Sequence, residues 1–554
     1  MRAPIYLDYA ATTPVDPAVA QAMMRCLTTD GAFANPSSGH SPGRAAAVLI
    51  EHARAQVASL VGAEAEEIVF TSGATESNNL AVLGVARANA DRGRHIVTSR
   101  IEHKAVLDPC RRLEREGFRV SYLTPDATGR LDPASVAEAL REDTILVSVM
   151  HVNNEIGVIE DIAAIGAICR ARGVPFHTDA AQSAGRVDLD LRELPVDLLS
   201  LTGHKIYGPK GIGALYVRRS ARALLKPQTF GGGQEGGLRP GTLPTHQIVG
   251  FGVAAELAAE SLPRESGRLA ALRDRLWSGL ADAGGIILNG ERAPRVPHIL
   301  SVSVEDVEGE SLVAAVPSLA LSTGSACQST TGEGSYVLRA LGRGHRLAES
   351  SLRFSLGRYT TSEEVDYAVR EVRCEIARLR AASPQAAHPA QGELDAPAGD
   401  PMKAVPGTSR AGGVAWDPEW SPPGGEAQLA PGEAESESRL ERLFRQLPGA
   451  GVIHEGAGRV LHGEAGGPGE EAWVRFHLLV EGDTVKDARF EARGCPHTLA
   501  TAAWLSGELR GRRRDQALCA GPEAWARVLG VPVEKLGRLL VIEDALNASL
   551  RSWP

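Results

Sequence analysis

Short apolar runs rich in β-branched residues alternate with longer amphipathic segments between residues 68 and 217. This alternation is typical of βαβ units, in which parallel strands are covered by helices on both faces. The fold class is therefore predicted to be α/β. The predicted strands are Ile68–Thr71, His95–Thr98, Ile145–Val149, Pro175–His177 and Leu198–Leu201.

Each predicted strand runs directly into a cluster of polar residues. Examples are Ser-Gly-Ala-Thr at 72–75 after the first strand and Thr-Gly-His-Lys at 202–205 after the last. Parallel sheets bind ligands at the carboxyl ends of their strands. The five clusters are therefore expected to form one shared site.

The pattern changes after residue 383. Residues 384–436 are rich in Pro, Gly, Ala and Glu and have no hydrophobic period, which predicts a flexible linker. We therefore expect a body at 1–383, a linker at 384–436 and a small α+β domain at 437–554. The elements predicted in that domain are a helix at Arg439–Leu447, strands at Trp473–Val480 and Val485–Glu491, and a helix at Pro496–Leu509.

Length and charge narrow the class of protein. A chain of 554 residues exceeds the usual size of one domain. The net charge of −9 argues against nucleic acid as a partner, because phosphate binding needs clustered Lys and Arg. The first residues lack a signal peptide, and no apolar stretch approaches the roughly 20 residues that span a bilayer. We expect a cytoplasmic protein that does not contact a membrane.

The cysteine pattern argues against a disulfide framework and against a structural zinc site. The seven cysteines are odd in number, widely spaced and without a CxxC pair. Most are expected to be buried as small apolar side chains.

Lys205 is the first candidate for chemistry. It follows Thr-Gly-His at a strand end, where a partly desolvated amine with a lowered pKa forms a Schiff base with an aldehyde cofactor. A surface lysine before a turn explains this segment equally well when it is taken alone. Asp179, just past another buried strand, favours the cofactor, because a carboxylate there holds a pyridine nitrogen protonated.

Three further groups fit the same cofactor. The segment Thr-Ser-Gly-Ala-Thr at 71–75 runs into a helix, whose free N–H groups and the Thr75 hydroxyl would cradle a phosphate. An ordinary Thr N-cap is the alternative. His103 is placed to stack on the pyridine ring and transfer protons, although a structural histidine is the alternative. Asn154 and Gln182 would hydrogen-bond the ring substituents.

These segments, together with Tyr-Leu-Asp-Tyr-Ala-Ala-Thr-Thr-Pro at 6–14, closely resemble the class V aminotransferase-like cysteine desulfurases that supply iron–sulfur cluster assembly. The resemblance runs from about residue 4 to residue 383. It implies pyridoxal 5'-phosphate and an aspartate-aminotransferase-like fold, with a large parallel-sheet domain and a small α/β domain formed from about residue 250 and the N-terminal segment. It also implies L-cysteine as substrate.

The resemblance assigns a role to each candidate. Lys205 binds the cofactor aldehyde, Asp179 pairs with the ring nitrogen, and His103 stacks above the ring. Thr242 resembles the phosphate ligand that the opposite subunit provides, which implies a homodimer. The cofactor-binding set implied by the resemblance is Ala74, Thr75, His103, Asn154, Asp179, Gln182, Thr202, His204, Lys205 and Thr242.

Cys327 lies in a run of small polar residues, Leu321 to Gly334, that has no apolar period and is expected to be mobile. A free cysteine on a surface loop is the alternative. The run matches the long-loop desulfurase motif, which implies that Cys327 attacks the substrate sulfur, retains it as a persulfide and releases alanine. Arg353 resembles the clamp for the substrate carboxylate, a role that suits its planar fork; an ordinary salt bridge is its alternative.

The C-terminal region resembles the iron–sulfur scaffold domain that normally accepts sulfur from a desulfurase. That family uses three cysteines, and here only Cys495 matches. Gly469 and Arg538 stand near the other two positions, and Glu471 stands near the usual Asp. We expect a degenerate scaffold-like domain that docks, regulates or accepts sulfur at Cys495, and the alternative is a plain interaction module with that cysteine buried.

Metal binding and the competing functions stay open at this point. The candidate metal ligands are Cys327 and Cys495. Cys327 would be a transient cluster ligand shared with a sulfur-acceptor or scaffold protein. The sequence does not decide whether an iron–sulfur cluster binds. The competing functions are an aminotransferase, a cysteine-sulfinate or selenocysteine lyase on the same fold, and a non-enzymatic assembly or regulatory protein.

Overall fold

A computed structural model describes residues 4–323, 334–382, 438–453, 458–467, 472–517 and 520–553. The chain divides into two compact units, Met1–Ala381 and Ala382–Pro554, which are described separately. The predicted linker at 384–436 lies outside the described residues. Among the described residues, no helix is both long and apolar enough to cross a membrane.

The strands of the first unit, in chain order, are β1 (Ile5–Tyr6), β2 (Ile68–Thr71), β3 (His95–Ser99), β4 (Arg119–Leu123), β5 (Thr144–Ser148), β6 (Phe176–Asp179), β7 (Leu198–Thr202), β8 (Gly213–Val217), β9 (Ile286–Leu288), β10 (Ile299–Val304), β11 (Leu319–Ala320), β12 (Ser322–Thr323) and β13 (Ser351–Ser355).

The α-helices of this unit are α1 (Pro17–Met24), α2 (Ser41–Leu60), α3 (Ala74–Ala88), α4 (Lys104–Arg115), α5 (Pro133–Ala139), α6 (Ile162–Ala171), α7 (Thr245–Ala281), α8 (Gly309–Ala315), α9 (Tyr336–Ala340), α10 (His345–Glu349) and α11 (Ser362–Ala382).

The large sheet contains seven strands in the order β2-β8-β7-β6-β5-β3-β4. Six strands point the same way, and only β8 runs antiparallel, between β2 and β7. The predicted α/β class is confirmed, and the sheet is mixed rather than purely parallel. Because six carboxyl ends lie at one edge, the polar segments that follow them meet there.

The side chains of this sheet alternate between two hydrophobic cores. Phe70 and Phe176 belong to the core that contains Ile50 of α2 and Phe251 of α7. Val69 and its neighbours on the other face pack with residues of α3 and α4. All the residues of β2, β3, β5, β6, β7 and β8 are buried, as expected for strands covered on both faces.

A smaller, four-stranded sheet has the order β12-β13-β10-β9. The N-terminal segment joins this part of the unit, because β1 pairs in parallel with β11 and Asp8 bridges to Ser355 of β13. Residues near the N-terminus and residues beyond 300 in the chain are thereby brought together.

The second unit is an α+β fold. An antiparallel sheet, β14-β15-β16, packs against helices on one side. Its elements are α12 (Arg439–Gln446), β14 (Arg459–Ala465), β15 (Trp473–Glu481), β16 (Thr484–Arg493), α13 (Pro496–Leu509), α14 (Pro522–Leu529) and α15 (Leu536–Arg551). The four elements predicted here from the sequence are present, with ends that differ by at most two residues.

A buried ion pair anchors β2, the strand that leads into the glycine turn at residue 73. Glu235 binds Arg54 at 2.7 Å and also accepts a hydrogen bond from the backbone N–H of Phe70. Replacing Glu235 by Ala should leave the buried Arg54 without its main counter-ion and lower the free energy of unfolding by about 3–5 kcal/mol.

Differential scanning calorimetry tests this expectation. Arg54 has a second partner, Glu51, whose side chain is 64% exposed. Glu51→Ala is therefore the matched control and should lower the free energy of unfolding by less than about 1 kcal/mol. An equal decrease in both variants would show that Glu235 is not the main counter-ion of Arg54.

Candidate active site

A cavity of about 600 Å³ lies at the carboxyl edge of the large sheet. It brings together ten of the predicted site residues: Ala74, Thr75, His103, Asn154, Asp179, Gln182, Thr202, His204, Lys205 and Arg353. Thr242 is exposed and does not line the cavity. Cys327 lies outside the described residues, and Cys495 belongs to the second unit.

The first turn of α3 forms one wall of the cavity. The N-cap residue of this helix is Gly73, with φ of +153°, and no side chain caps the helix. The alternative interpretation, that a threonine is the N-cap of this helix, is therefore wrong, because Thr75 lies inside the first turn. Uncapped N–H groups at the start of a 15-residue helix favour a bound anion.

Asp179 is the last residue of β6, and two donors hold its carboxylate. Asn78 Nδ2 donates to Oδ2 at 2.7 Å, and the N–H of Ala181 donates to Oδ1 at 2.9 Å. The side chain is buried but lines the cavity. These two hydrogen bonds fix the orientation of the carboxylate at the edge of the cavity.

His103 is the N-cap of α4, and its Nδ1 accepts a hydrogen bond from the N–H of Ala105 at 3.1 Å. This bond assigns the proton of the neutral ring to Nε2. Burial lowers the pKa of His103, and the positive charge of Lys205 lowers it further. The neutral imidazole is therefore the dominant form at neutral pH.

Lys205 closes a 3₁₀ turn, Gly203–Lys205, directly after β7. The preceding His204 hydrogen-bonds the Thr12 hydroxyl at 3.1 Å through Nδ1. Burial, together with the charges of Lys205 and Lys210, lowers the pKa of His204 to about 4. His204 is therefore neutral at neutral pH.

Arg353 lies in β13 of the small sheet and reaches the same cavity. Its Nη1 donates to the carbonyl oxygen of Asn154 at 2.9 Å, and its Nη2 donates to Asp8 Oδ1 at 2.8 Å. Gln182 Nε2 donates to the carbonyl oxygen of Ala10 at 2.9 Å. The two sheets therefore share one site.

Asp8, Asn78 and Glu155 are among the cavity residues to which the sequence assigns no role. Asp8 lies in the motif at 6–14, and Asn78 lies in the segment that begins α3. Glu155 lines the cavity, where burial raises its pKa to about 7. Its position beside Asn154, in the same strand-end cluster, is the signal that was available.

The residues of the cavity fit pyridoxal phosphate. The helix start suits a phosphate, Asp179 suits a pyridine nitrogen and Lys205 provides an amine for an aldehyde. Two buried oxygens that line the cavity, Asn154 Oδ1 and Thr202 Oγ1, have no hydrogen-bond partner among the described residues. Buried polar atoms are rarely left unpaired, which is further support for a polar ligand here.

The described residues of the second unit do not provide the ligands of an iron–sulfur cluster. Its one matching cysteine, Cys495, is fully buried at the start of α13. The described residues contain no group of three or more His, Cys, Asp or Glu side chains able to hold a metal ion. Gly469 and Glu471 lie outside the described residues. One thiolate cannot supply the four ligands that such iron atoms need.

The charge of Arg538 acts on the thiol of Cys495. Burial raises the pKa of this thiol, but hydrogen bonds from His497 and Thr498 and the charge of Arg538 outweigh it and bring the pKa to about 6. The Cys495 sulfur lies 3.5 Å from the Thr498 hydroxyl and 3.9 Å from His497 Nδ1. The thiolate is therefore stabilised within the domain itself.

Comparisons with known proteins agree with this site. The family described as Aminotransferase class-V matches residues 5–368, and the NifU-like N terminal domain matches residues 445–554. The cysteine desulfurase IscS of Pectobacterium atrosepticum is 59% identical over 385 residues, which cover 69% of this chain and 95% of that protein. The IscS of Klebsiella pneumoniae is 58% identical over the same length.

Two solved structures are similar to the first part of this chain in fold and sequence. A NifS-like protein superposes with a TM-score of 0.63 at 35% identity, covering 68% of this chain and all of that one. SspA in complex with cysteine has a TM-score of 0.58 at 40% identity and covers 64% of this chain and all of that one.

The fold and the cavity define an enzyme of the pyridoxal-phosphate class. Within that class, the chain belongs to the Aminotransferase class-V family and is a cysteine desulfurase with a NifU-like domain at its C-terminal end. The predicted family, fold class and cofactor are confirmed.

Gly213 tests the phosphate-binding turn. A Cβ at this position would lie 2.5 Å from the carbonyl oxygen of Leu201 and 2.7 Å from Cα of Gly73. Gly213→Ala should displace the turn before α3, at a cost of about 1–3 kcal/mol. Weaker binding of pyridoxal phosphate is expected and is measured by cofactor absorbance titration.

The control for this variant is Gly267→Ala. Gly267 lies in α7, and a Cβ there would meet nothing within 4 Å. Its cofactor affinity should equal that of the unmodified protein. Unchanged affinity in Gly213→Ala would show that the turn does not bind the phosphate.

Proposed function

We propose that this enzyme transfers the sulfur of L-cysteine to Cys327, releases L-alanine, and passes the persulfide sulfur to an acceptor of iron–sulfur cluster assembly. The observation that supports the proposal best is the convergence of Lys205, Asp179 and His103 on one cavity. The neighbour SspA, which is described in complex with cysteine, supports cysteine as the substrate. A cytoplasmic location, expected from the sequence, stays a prediction.

The residues of the cavity divide the proton transfers between them. Pyridoxal phosphate, when bound, supplies an electron-withdrawing ring that stabilises negative charge at the substrate α-carbon. Nδ1 of His103 already accepts a hydrogen bond from Ala105. His103 therefore offers an N–H at Nε2, and the amine of Lys205 is the better acceptor for the α-proton. Asp179 keeps the ring nitrogen protonated.

The sulfur transfer is balanced without an added oxidant. The Cys327 thiolate attacks the substrate sulfur, an S–S bond forms, and the C–S bond breaks with its electron pair going to the carbon skeleton. Protonation of that carbon gives alanine. One cysteine and one thiol thus become one alanine and one persulfide.

We propose a homodimer in which each subunit completes the other's site. Thr242 is exposed in the single chain and does not line its own cavity. This placement is consistent with a hydroxyl that binds the phosphate of the opposite subunit, as the family resemblance implies.

The NifU-like domain is proposed to act as a docking or regulatory module. The charge of Arg538 lowers the pKa of its buried thiol, and its described residues include no group of three or more metal-ligating side chains. Burial of Cys495 also makes it a poor acceptor, because an incoming persulfide must reach the sulfur atom. Cys327 is the residue proposed to present sulfur to the acceptor or scaffold protein.

Cys327→Ala tests the sulfur carrier. The variant should keep the absorbance of the bound cofactor but lose sulfide release from L-cysteine by a factor of at least about 100, because the nucleophile is gone. Sulfide and alanine are measured in the presence of a reductant. Cys374→Ala, which replaces an exposed cysteine on α11, is the control and should be fully active.

Mass spectrometry after one turnover locates the sulfur. An added mass of one sulfur on the peptide that contains Cys327, and not on the one that contains Cys495, is expected. Unchanged turnover in Cys327→Ala would show that another residue carries the sulfur, and labelling of Cys495 would assign it the acceptor role.

Mixed dimers test the shared site. Lys205→Ala and Thr242→Ala should each be impaired alone. A heterodimer of the two has one site that combines an intact Lys205 with an intact Thr242 from the other subunit. Co-refolding or co-expression of the two variants should therefore restore activity, measured as sulfide release, toward one intact site per dimer. No recovery in an isolated heterodimer would contradict the proposal.

A further inference from the structure

Asp8 and Arg353 form an ion pair inside the cavity. Arg353 Nη2 lies 2.8 Å from Asp8 Oδ1, and both side chains line the cavity that contains Lys205. The two residues are 345 positions apart in the chain and meet because Asp8 bridges to Ser355 in the strand of Arg353. A positive and a negative group therefore stand side by side in the site.

The guanidinium of Arg353 is only partly used by the protein. It donates to Asn154 and Asp8, while Nε is buried and has no hydrogen-bond partner among the described residues. A guanidinium has five N–H donors and binds a carboxylate through two of them. Donors therefore remain for a second carboxylate.

The carboxylate of Asp8 is also only partly used. Oδ1 accepts from Arg353, and Oδ2 accepts no hydrogen bond from the described residues. The Asp8 side chain is 19% exposed, toward the cavity, whereas Glu235 in the structural pair with Arg54 is 1% exposed. Asp8 thus has an acceptor available for a ligand, and the purely structural pair does not.

An α-amino acid carries a carboxylate and an ammonium group separated by one carbon atom. The pair of Arg353 and Asp8 presents the opposite charges next to each other. We propose that Asp8 is a specificity-determining residue that receives the α-ammonium group of L-cysteine in the initial, non-covalent complex, while Arg353 binds its carboxylate. The inference depends on the proposed role of Arg353 and extends it from recognition of a carboxylate to recognition of a zwitterion.

Two isosteric probes separate the two charges. N,N-dimethylglycine has a carboxylate and an ammonium group with one N–H, and 3-methylbutanoate has the same shape without the positive charge. Neither reacts with an aldehyde as a primary amine does. Their inhibition constants against L-cysteine are measured with the full-length holoenzyme, together with calorimetric binding.

The unmodified enzyme should bind N,N-dimethylglycine at least about tenfold more tightly than 3-methylbutanoate, as expected for a charge-assisted hydrogen bond. Asp8→Asn keeps the size of the side chain and an oxygen near Arg353 but removes the charge. It should reduce the preference to about twofold or less, mainly by weakening N,N-dimethylglycine. Asp8→Glu, which retains the charge, should preserve most of the preference.

Arg353→Gln distinguishes a failure of this inference from a failure of the proposed clamp. It should weaken both probes by similar factors, because both carry a carboxylate. If Arg353→Gln changes neither, the clamp itself is wrong. If Asp8→Asn weakens both probes equally or leaves the preference intact, the role of Asp8 is wrong. Equal affinity of the unmodified enzyme for the two probes would also overturn the role of Asp8. This measurement does not depend on whether a variant folds.

Discussion

The common direction of six strands in the large sheet is the constraint on which the site depends. Their carboxyl ends meet at one edge, so residues from distant parts of the chain enclose one cavity. The fully buried strands cannot shift without exposing two hydrophobic cores. The lysine turn after β7 and the carboxylate at the end of β6 are therefore held on a rigid support, as an oriented cofactor requires.

Burial also sets the charge pattern in this cavity. Desolvation lowers the pKa of both His103 and His204, so both imidazoles are neutral at neutral pH. A neutral histidine that donates from Nε2 does not compete with Lys205 for a proton. In the proposed role of the Asp8–Arg353 pair, the cavity binds both the ammonium group and the carboxylate of an amino acid, whereas Arg353 alone would bind only the carboxylate.

The C-terminal unit combines a NifU-like match with a single matching cysteine. It contains an antiparallel sheet and a helix that begins after Cys495, and the NifU-like family matches residues 445–554. Arg538 now provides the positive charge next to the thiol. A guanidinium stabilises the thiolate electrostatically but is not a metal ligand.

The sequence by itself determined the local features: the α/β class, the strand-end clusters, the positions of Lys205 and Asp179, and the helix and strands of the C-terminal unit. These follow from side-chain periodicity and from turn residues that act over a few positions. The family resemblance added the cofactor and the roles of single residues.

Only the tertiary structure decided which distant groups meet. Residues that are far apart in the chain meet in three places. Strand β8 inserts antiparallel beside β7, Asn78 donates a hydrogen bond to Asp179, and Arg353 pairs with Asp8. The protonation of His103 and the lowered pKa of Cys495 likewise depend on burial and on charges from other elements. Long-range pairing and desolvation are properties of the folded packing, and no local pattern of residues encodes them.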